Sequence, residues 1–80
     1  MKFTKYFESM RSRADRTIIR LHWIEYVIGN SIAEKVQEDG RIRRWAAIDE
    51  AGGRFLRVIN LPDGETVHNA FFDRTLDHED

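Results

Sequence analysis

Apolar side chains in the first part of the chain recur at helical spacing. Phe3, Tyr6, Phe7, Met10 and Ala14 fall at i, i+3, i+4, i+7 and i+11, which is one stripe along a helix. Charged and polar residues occupy the positions between them. The pattern therefore predicts a short amphipathic helix at the start of the chain.

A second helix is predicted over approximately Thr17–Ile28. Asp15 or Thr17 can cap its N-terminus with a side-chain oxygen. Gly29-Asn30 predicts its end, because both residues tolerate the left-handed conformation found at helix C-termini. The residues that share its main apolar face are Ile18, Leu21, Ile24, Glu25 and Ile28.

From Ser31 onward the pattern changes to short runs rich in β-branched and aromatic residues, separated by turn dipeptides. The dipeptides Asp39-Gly40, Gly52-Gly53 and Asp63-Gly64 favour two-residue hairpin loops. The strands predicted between them are Arg41–Asp49, Arg54–Leu61 and Glu65–Phe72.

The segment Ala33–Glu38 fits either one helical turn or a short edge strand, and the strand is preferred because Asp39-Gly40 follows it directly. Charged side chains along it would protect the edge against unwanted pairing. The expected architecture is an α+β fold: two N-terminal helices followed by an antiparallel meander of three to four strands. A single domain is expected over residues 1–74, with a frayed acidic tail over 75–80.

Two-residue loops would fix the strand register. They place Val36 opposite Arg43, Ile48 opposite Arg57, and Ile59 opposite His68. Arg57 and His68 then become diagonal neighbours, with backbones roughly 7–8 Å apart. A bulge at any turn would shift this register and move a strand's side chains to the other face.

This register divides the strand residues between two faces. The more apolar face, expected to pack against the helices, carries Ile42, Arg44, Ala46, Ile48, Phe55, Arg57, Ile59, Leu61, His68, Ala70 and Phe72. The other face carries Arg43, Trp45, Ala47, Leu56, Val58, Asn60, Val67, Asn69 and Phe71.

Composition narrows the class of protein. The 80 residues have a formal net charge of −1, which excludes a histone-like basic protein and a disordered polyelectrolyte. The chain has no cysteine, which excludes a disulfide scaffold and a thiolate zinc site and fits a reducing, cytoplasmic location. No apolar run is long enough to span a membrane, so no membrane partner is expected.

The charge is unevenly distributed along the chain. Residues 1–44 carry ten Lys+Arg against six Asp+Glu, and residues 45–80 carry three against eight. The split indicates either two solvated surfaces of opposite sign or a basic patch that faces an anionic partner.

Three residues of the predicted helix-packing face are candidates for catalysis. His68 could act as a general base with a pKa lowered by neighbouring cations, and Arg44 and Arg57 could hold a phosphate in its transition state. The structural alternatives are a hydrogen-bonded sheet histidine, and arginines paired with Glu50, Asp73 or the acidic tail.

Other motifs are less specific. The run Arg41-Ile42-Arg43-Arg44-Trp45 interleaves cations with an aromatic ring, which suits RNA but also fits a strand with one wet face. His22, His68 and His78 lack the spacing of metal ligands, and no cofactor-binding motif is present. We therefore expect neither a metal nor a cofactor.

The segment DGRIRRWAAIDEAGGRFLRVINLPDGETVHNAFFDR resembles a family of small bacterial proteins, classed as a domain of unknown function, that share a DGRIRxW…LRV…DG…HNAFFDR signature. The resemblance covers Arg16–Arg74, and the FFDR ending is its most specific part. This family is in turn distantly similar to BrnT-type toxins, which share a RelE-like α+β fold and cleave messenger RNA without a metal.

The first resemblance implies a fold; only the second implies a ribonuclease. Turn chemistry and core packing account for most matching residues, but not for Arg57, His68, Asn69, Asp73 and Arg74. If there is a site, the resemblance implies Arg57 and His68 as catalytic residues, and Arg44 joins them as a candidate from its place on the predicted face. The substrate-binding residues would be Arg43, Trp45, Asn69, Asp73 and Arg74.

Two functions remain open. One is a toxin-like, metal-independent endoribonuclease of a toxin-antitoxin system, with RNA and a small antitoxin-like protein as partners. The other is a non-catalytic interaction module or accessory subunit. Trp23 and Tyr26 could form a second apolar face on the second helix that either packs on the first helix, which is the preferred interpretation, or makes a dimer contact. The net charge of −1 requires that any RNA binding come from a local patch.

Overall fold

Two helices and a four-stranded antiparallel sheet form the fold, in a computed structural model that describes residues 1–11 and 19–73. The elements in chain order are α1 (Lys5–Arg11), α2 (Leu21–Asn30), β1 (Ala33–Val36), β2 (Ile42–Ile48), β3 (Arg54–Asn60) and β4 (Val67–Phe72). The strands lie side by side in chain order. The predicted α+β fold is confirmed, including β1 as an edge strand.

Helix α1 begins at Lys5, whereas the apolar stripe predicts helical spacing from Phe3. Phe3 forms a parallel bridge with Val67, and the Thr4 hydroxyl accepts the N–H of Phe7 at 3.1 Å, which caps the helix. The rings of Phe3 and Phe7 stack at 5.3 Å between centroids. Ala14, predicted to extend the stripe, lies outside the described residues.

Helix α2 begins at Leu21, with Arg20 in the capping position and no side-chain cap. The predicted start at Thr17 is wrong, because Ile19 and Arg20 are not helical; the predicted caps Asp15 and Thr17 lie outside the described residues. The predicted end is correct for a different reason. Neither Gly29 nor Asn30 has a positive φ, and the Asn30 amide instead donates to the carbonyl of Tyr26 at 3.1 Å.

The core lies between the helices and one face of the sheet, here called the helix-packed face. Its buried side chains are Phe7, Ile19, Trp23, Ile24, Val27, Ala46, Ile48, Leu56, Val58, Val67 and Ala70. Neither α1 nor α2 packs on the opposite face, here called the helix-free face. Alternation along the paired strands gives that face Lys35, Arg43, Trp45, Ala47, Phe55, Arg57, Ile59, Asn69 and Phe71.

The connection between β2 and β3 is longer than the predicted Gly52-Gly53 loop. Residues Asp49–Ala51 form a 3-10 turn ahead of the two glycines, so Ile48 opposes Arg54 instead of Arg57. A shift of three positions exchanges the faces of β3 relative to β2. Leu56 and Val58 therefore enter the core, whereas Phe55, Arg57 and Ile59 leave it, contrary to the predicted division.

The other two registers also differ from the predicted ones. Val36 opposes Ile42 and not Arg43, because the β1–β2 connection is longer than two residues. Near the β3–β4 turn, Asn60 opposes Val67, which agrees with the predicted pairing. Both residues lie on the helix-packed face, although the sequence predicts them on the opposite face. A bulge then shifts the register by one, so that Ile59 opposes Asn69.

We expect Gly40→Ala to destabilise the fold more than Gly52→Ala. Both glycines have positive φ, of 89° and 73°, which costs an L-residue about 1 kcal/mol. A Cβ on Gly40 would also lie 3.1 Å from Cγ of Pro62, whereas one on Gly52 would meet nothing within 4 Å. In urea unfolding, Gly40→Ala should lower the free energy of unfolding by about 1 kcal/mol more than Gly52→Ala does. Equal decreases in the two variants would contradict this prediction.

Candidate nucleic-acid interface

The helix-free face gathers five of the residues predicted as catalytic or substrate-binding. Two rows of cross-strand partners make up its centre. The first row is Ala33, Trp45, Arg57 and Phe71, and the second is Lys35, Arg43, Ile59 and Asn69. Asp73 joins the first row from the end of β4 through its carboxylate. The structure thus brings together Arg43, Trp45, Arg57, Asn69 and Asp73.

The Arg57 guanidinium lies between two aromatic neighbours, 5.2 Å from the ring of Trp45 and 5.0 Å from that of Phe71. One oxygen of Asp73 accepts hydrogen bonds from Nε of Arg57 at 2.8 Å and from Nε1 of Trp45 at 2.8 Å. A second guanidinium nitrogen of Arg57 also contacts this oxygen. Asp73 is 6% exposed, so it compensates the charge of Arg57 inside the structure.

This contact bears on the predicted roles of Arg57 and Trp45. Arg57 is held by Asp73, as the ion-pair alternative proposed, which leaves it poorly placed to hold a phosphate. Trp45 is only 9% exposed and its indole N–H is already bonded, so it is not an open platform for base stacking.

Arg43 and Lys35 lie directly opposite each other on the same face. Nε of Arg43 donates to the amide oxygen of Gln37 at 3.1 Å, a neutral partner that leaves the positive charge uncompensated among residues 1–11 and 19–73. Lys35 is exposed. This pair gives the helix-free face a local positive charge beside Ile59 and Asn69.

Asn69 has a local role at the bulge of β4. Its amide oxygen accepts the N–H of Ala70 at 2.9 Å, next to the place where the register shifts. This bond provides a partner for backbone in an irregular part of the ladder. Arg74, also predicted to bind substrate, lies outside the described residues.

Arg44 lies on the helix-packed face, away from Arg57. Its Nε donates to Glu34 at 2.9 Å, and its terminal nitrogen donates to the Asn60 side chain at 2.9 Å and to the Gly64 carbonyl at 3.0 Å. Asn60 is fully buried and donates in turn to the carbonyls of Glu65 and Thr66. These bonds tie β2 to the β3–β4 turn.

His68 lies in the bulge and contacts the start of α1. Its Nδ1 is 3.2 Å from the Thr4 hydroxyl, and its ring stacks on Tyr6 at 4.9 Å between centroids. Because Arg57 opposes Phe71, three positions further along β4, the two residues are not the predicted diagonal neighbours. The proposed catalytic trio of Arg44, Arg57 and His68 is therefore spread over three environments.

A cluster that the sequence did not indicate lies where α2 meets the end of β2. One oxygen of Glu50 accepts hydrogen bonds from Nε1 of Trp23 at 2.7 Å and from Nε2 of His22 at 2.8 Å. These bonds, His22 first, lower the pKa of Glu50, and the charges of His22 and Arg20 contribute further. The pair borders a cavity of about 260 Å³ that Tyr26, Ala47, Ile48 and Asp49 also line.

Within the described parts of the chain, no group of three or more His, Cys, Asp or Glu side chains could hold a metal ion. No helix among the described residues is long and apolar enough to cross a membrane. Comparison with family models, curated proteins and solved structures gives no match for this chain.

We expect Asp73→Asn to destabilise the fold by about 3 kcal/mol, because it leaves the largely buried Arg57 cation without a counter-charge. Glu34→Gln is the matched control, since it removes the half-exposed carboxylate from Arg44 and should cost no more than about 1 kcal/mol. Chemical denaturation measures both. Equal losses would show that the Arg57 pair is not the more important one.

Fold stability should fall as the pH drops below neutrality, in part through His68. Burial lowers the pKa of His68 below its ordinary 6.5, and the charge of Arg41 lowers it further, with Asp39 opposing. The unfolded chain therefore binds the proton first. The contribution of His68 to the free energy of unfolding is complete above pH 6.5 and is lost as the pH falls to the pKa of His68 in the folded protein. An NMR titration should show the low pKa, and His68→Gln should flatten this part of the stability profile.

Proposed function

We propose that this protein binds single-stranded RNA on the helix-free face and cleaves it as a toxin-like, metal-independent endoribonuclease with a RelE-like arrangement of helices and sheet. The observation that carries the proposal is the uncompensated positive charge of Lys35 and Arg43 in the middle of that face. The reaction class is supported by the distant similarity to BrnT-type toxins of the family that the DGRIRxW…HNAFFDR segment resembles.

The distribution of ion pairs explains how a chain of net charge −1 could bind RNA. Among the described residues, carboxylates neutralise three other arginines: Asp39 pairs with Arg41, Glu34 with Arg44, and Asp73 with Arg57. Neither Lys35 nor Arg43 takes part in an ion pair within this part of the chain. Phosphate attraction is short-ranged in physiological salt, so such a patch counts for more than the net charge.

RNA bound here would contact a face that is partly apolar as well as cationic. Phe55 and Ile59 are half-buried on it, and they offer surface for bases or riboses beside the two cations. The Asp73 contact keeps the face flat and fixed by holding Arg57 between its aromatic neighbours. A rigid surface loses little conformational entropy on binding.

The interaction module remains a second candidate, supported by the exposed edge strand β1. Val36 at its end is 62% exposed, and Ile32 just before it is 68% exposed. Antiparallel pairing of two copies centred on Glu34 or on Lys35 would place like charges opposite each other, which is unfavourable. Registers centred on Ala33 or Val36 avoid this repulsion, so the edge suits a second copy in those registers or a different protein. Trp23 is in the core and is excluded from the predicted dimer contact, although Tyr26 is half-exposed.

The test of RNA binding is the double variant Lys35→Ala/Arg43→Ala on a short, mixed-sequence single-stranded RNA. We expect about a tenfold loss of affinity or more, and a decrease of about 1.4 in the slope of log affinity against log salt. The control is Lys5→Ala/Arg11→Ala, which removes the same charge from α1 and should change binding little.

Equal losses in the two double variants would show that the helix-free face is not the binding surface. If the wild-type protein neither binds nor cleaves RNA at low salt, the proposed function is wrong. The interaction module at β1 would then be the better candidate.

A further inference from the structure

We propose that His22 is the acid–base catalyst of the endoribonuclease and that Glu50 is its positioning residue. This inference rests on the proposed function. It moves the chemistry from His68 and Arg57, which the register separates, to the cavity between α2 and the end of β2.

The geometry fixes the protonation pattern of the His22 ring. An ionised carboxylate only accepts hydrogen bonds, so Nε2 of His22 must donate to Glu50 across the 2.8 Å contact. The lone pair of the neutral ring is then on Nδ1. A carboxylate that orients one ring nitrogen while the other transfers protons is the arrangement by which hydrolases prepare a histidine.

Trp23 anchors the carboxylate of Glu50. The indole is 8% exposed and belongs to the core, and its N–H donates to the same Glu50 oxygen at 2.7 Å. Glu50 itself is in the 3-10 turn Asp49–Ala51, which is the insertion that displaced the β2–β3 register. Both side chains of the pair are exposed, 60% for His22 and 65% for Glu50, and the buried Trp23 ring gives the carboxylate a fixed hydrogen-bond partner.

His22 and His68, the two histidines of the described residues, differ in what surrounds them. His68 contacts the α1 cap through one nitrogen and has a ring face covered by Tyr6. The side chain of His22 is 60% exposed and borders the cavity, so a substrate can approach its Nδ1. His22 is therefore the histidine whose free nitrogen can reach an RNA strand.

The cavity and the proposed RNA surface have one residue in common. Ala47 lines the cavity and also lies on the helix-free face, opposite Phe55. A strand on that face could place one nucleotide at His22. The volume of about 260 Å³ is just under the range of roughly 300–1,000 Å³ for drug-sized ligands, which fits part of a nucleotide. Arg20, with its guanidinium 5.9 Å from the Trp23 ring, supplies a cation beside the pair.

The reaction needs no co-reactant. Nδ1 of His22 takes the proton of a ribose 2′-hydroxyl, and the 2′ oxygen forms a bond to phosphorus while the bond from phosphorus to the 5′ oxygen breaks. The departing 5′ oxygen takes up a proton, which the imidazolium can return directly or through water. The products are a 2′,3′-cyclic phosphate and a 5′-hydroxyl.

The experiment compares His22→Ala, Glu50→Gln and His68→Ala in cleavage of an end-labelled, mixed-sequence single-stranded RNA, with the DNA of the same sequence as substrate control. We expect His22→Ala to lower kcat by about 100-fold or more, with KM and RNA affinity unchanged. Glu50→Gln preserves both hydrogen-bond acceptance and shape, so its loss of kcat reports the missing charge. His68→Ala should retain most of the activity.

A second readout does not depend on turnover. Nitrogen-15 NMR of the wild-type ring should show a protonated Nε2 and an unprotonated Nδ1, and Glu50→Gln should alter this tautomer balance. A mixture of nucleoside 3′-monophosphates, which mimic the product, should shift the signals of His22 and leave those of His68 in place.

The outcomes separate the two proposals. If His22→Ala cleaves RNA as the wild type does, or if the nucleotides leave the His22 signals unchanged, the assignment is overturned while the ribonuclease function stands. If the wild type cleaves no RNA, both fail. Loss of activity in His22→Ala with wild-type RNA binding and thermal stability supports the assignment.

Discussion

The helix-free face depends on one contact, the pairing of Arg57 with Asp73 between two aromatic rings. A guanidinium in mid-sheet with no carboxylate would be an uncompensated cation in a largely buried place. Asp73, just after β4, supplies the negative counter-charge and also accepts the indole N–H of Trp45. The contact therefore links β2, β3 and the residue after β4. The contact gives Phe71 and Asp73 of the FFDR segment a structural role, so neither residue requires a catalytic one to explain it.

The same contact decides which charges remain for a ligand. An arginine with a carboxylate partner attracts phosphate weakly, since its field is already cancelled at short range. Arg57 and Arg44 are both in this condition, with Asp73 and Glu34. Arg43 bonds to a neutral amide. The positive charge and the position of the proposed Lys35/Arg43 binding patch thus depend on which cations have a carboxylate partner and not on the number of arginines along β2.

Local sequence signals predicted the elements but not the sheet register. The strand order, the edge strand and the turns at Gly40 and Gly64 follow from turn dipeptides and β-rich runs, which act over a few residues. Gly52-Gly53 predicts a complete two-residue loop. The 3-10 turn before it lengthens the connection and exchanges the two faces of β3 relative to β2. Such a turn competes with a tight hairpin by a small free energy, which dipeptide preferences do not resolve.

The His22–Glu50 pair could not have been found from the sequence for the same reason. The two residues lie 28 positions apart, and the contact exists only because the 3-10 turn directs Glu50 back toward the start of α2. A two-residue loop would have placed Glu50 elsewhere on the hairpin. The departure from regular hairpin geometry therefore moves Arg57 away from the other predicted catalytic residues and creates a carboxylate–histidine contact at the end of β2. Irregular backbone of this kind often occurs where a protein positions a functional side chain.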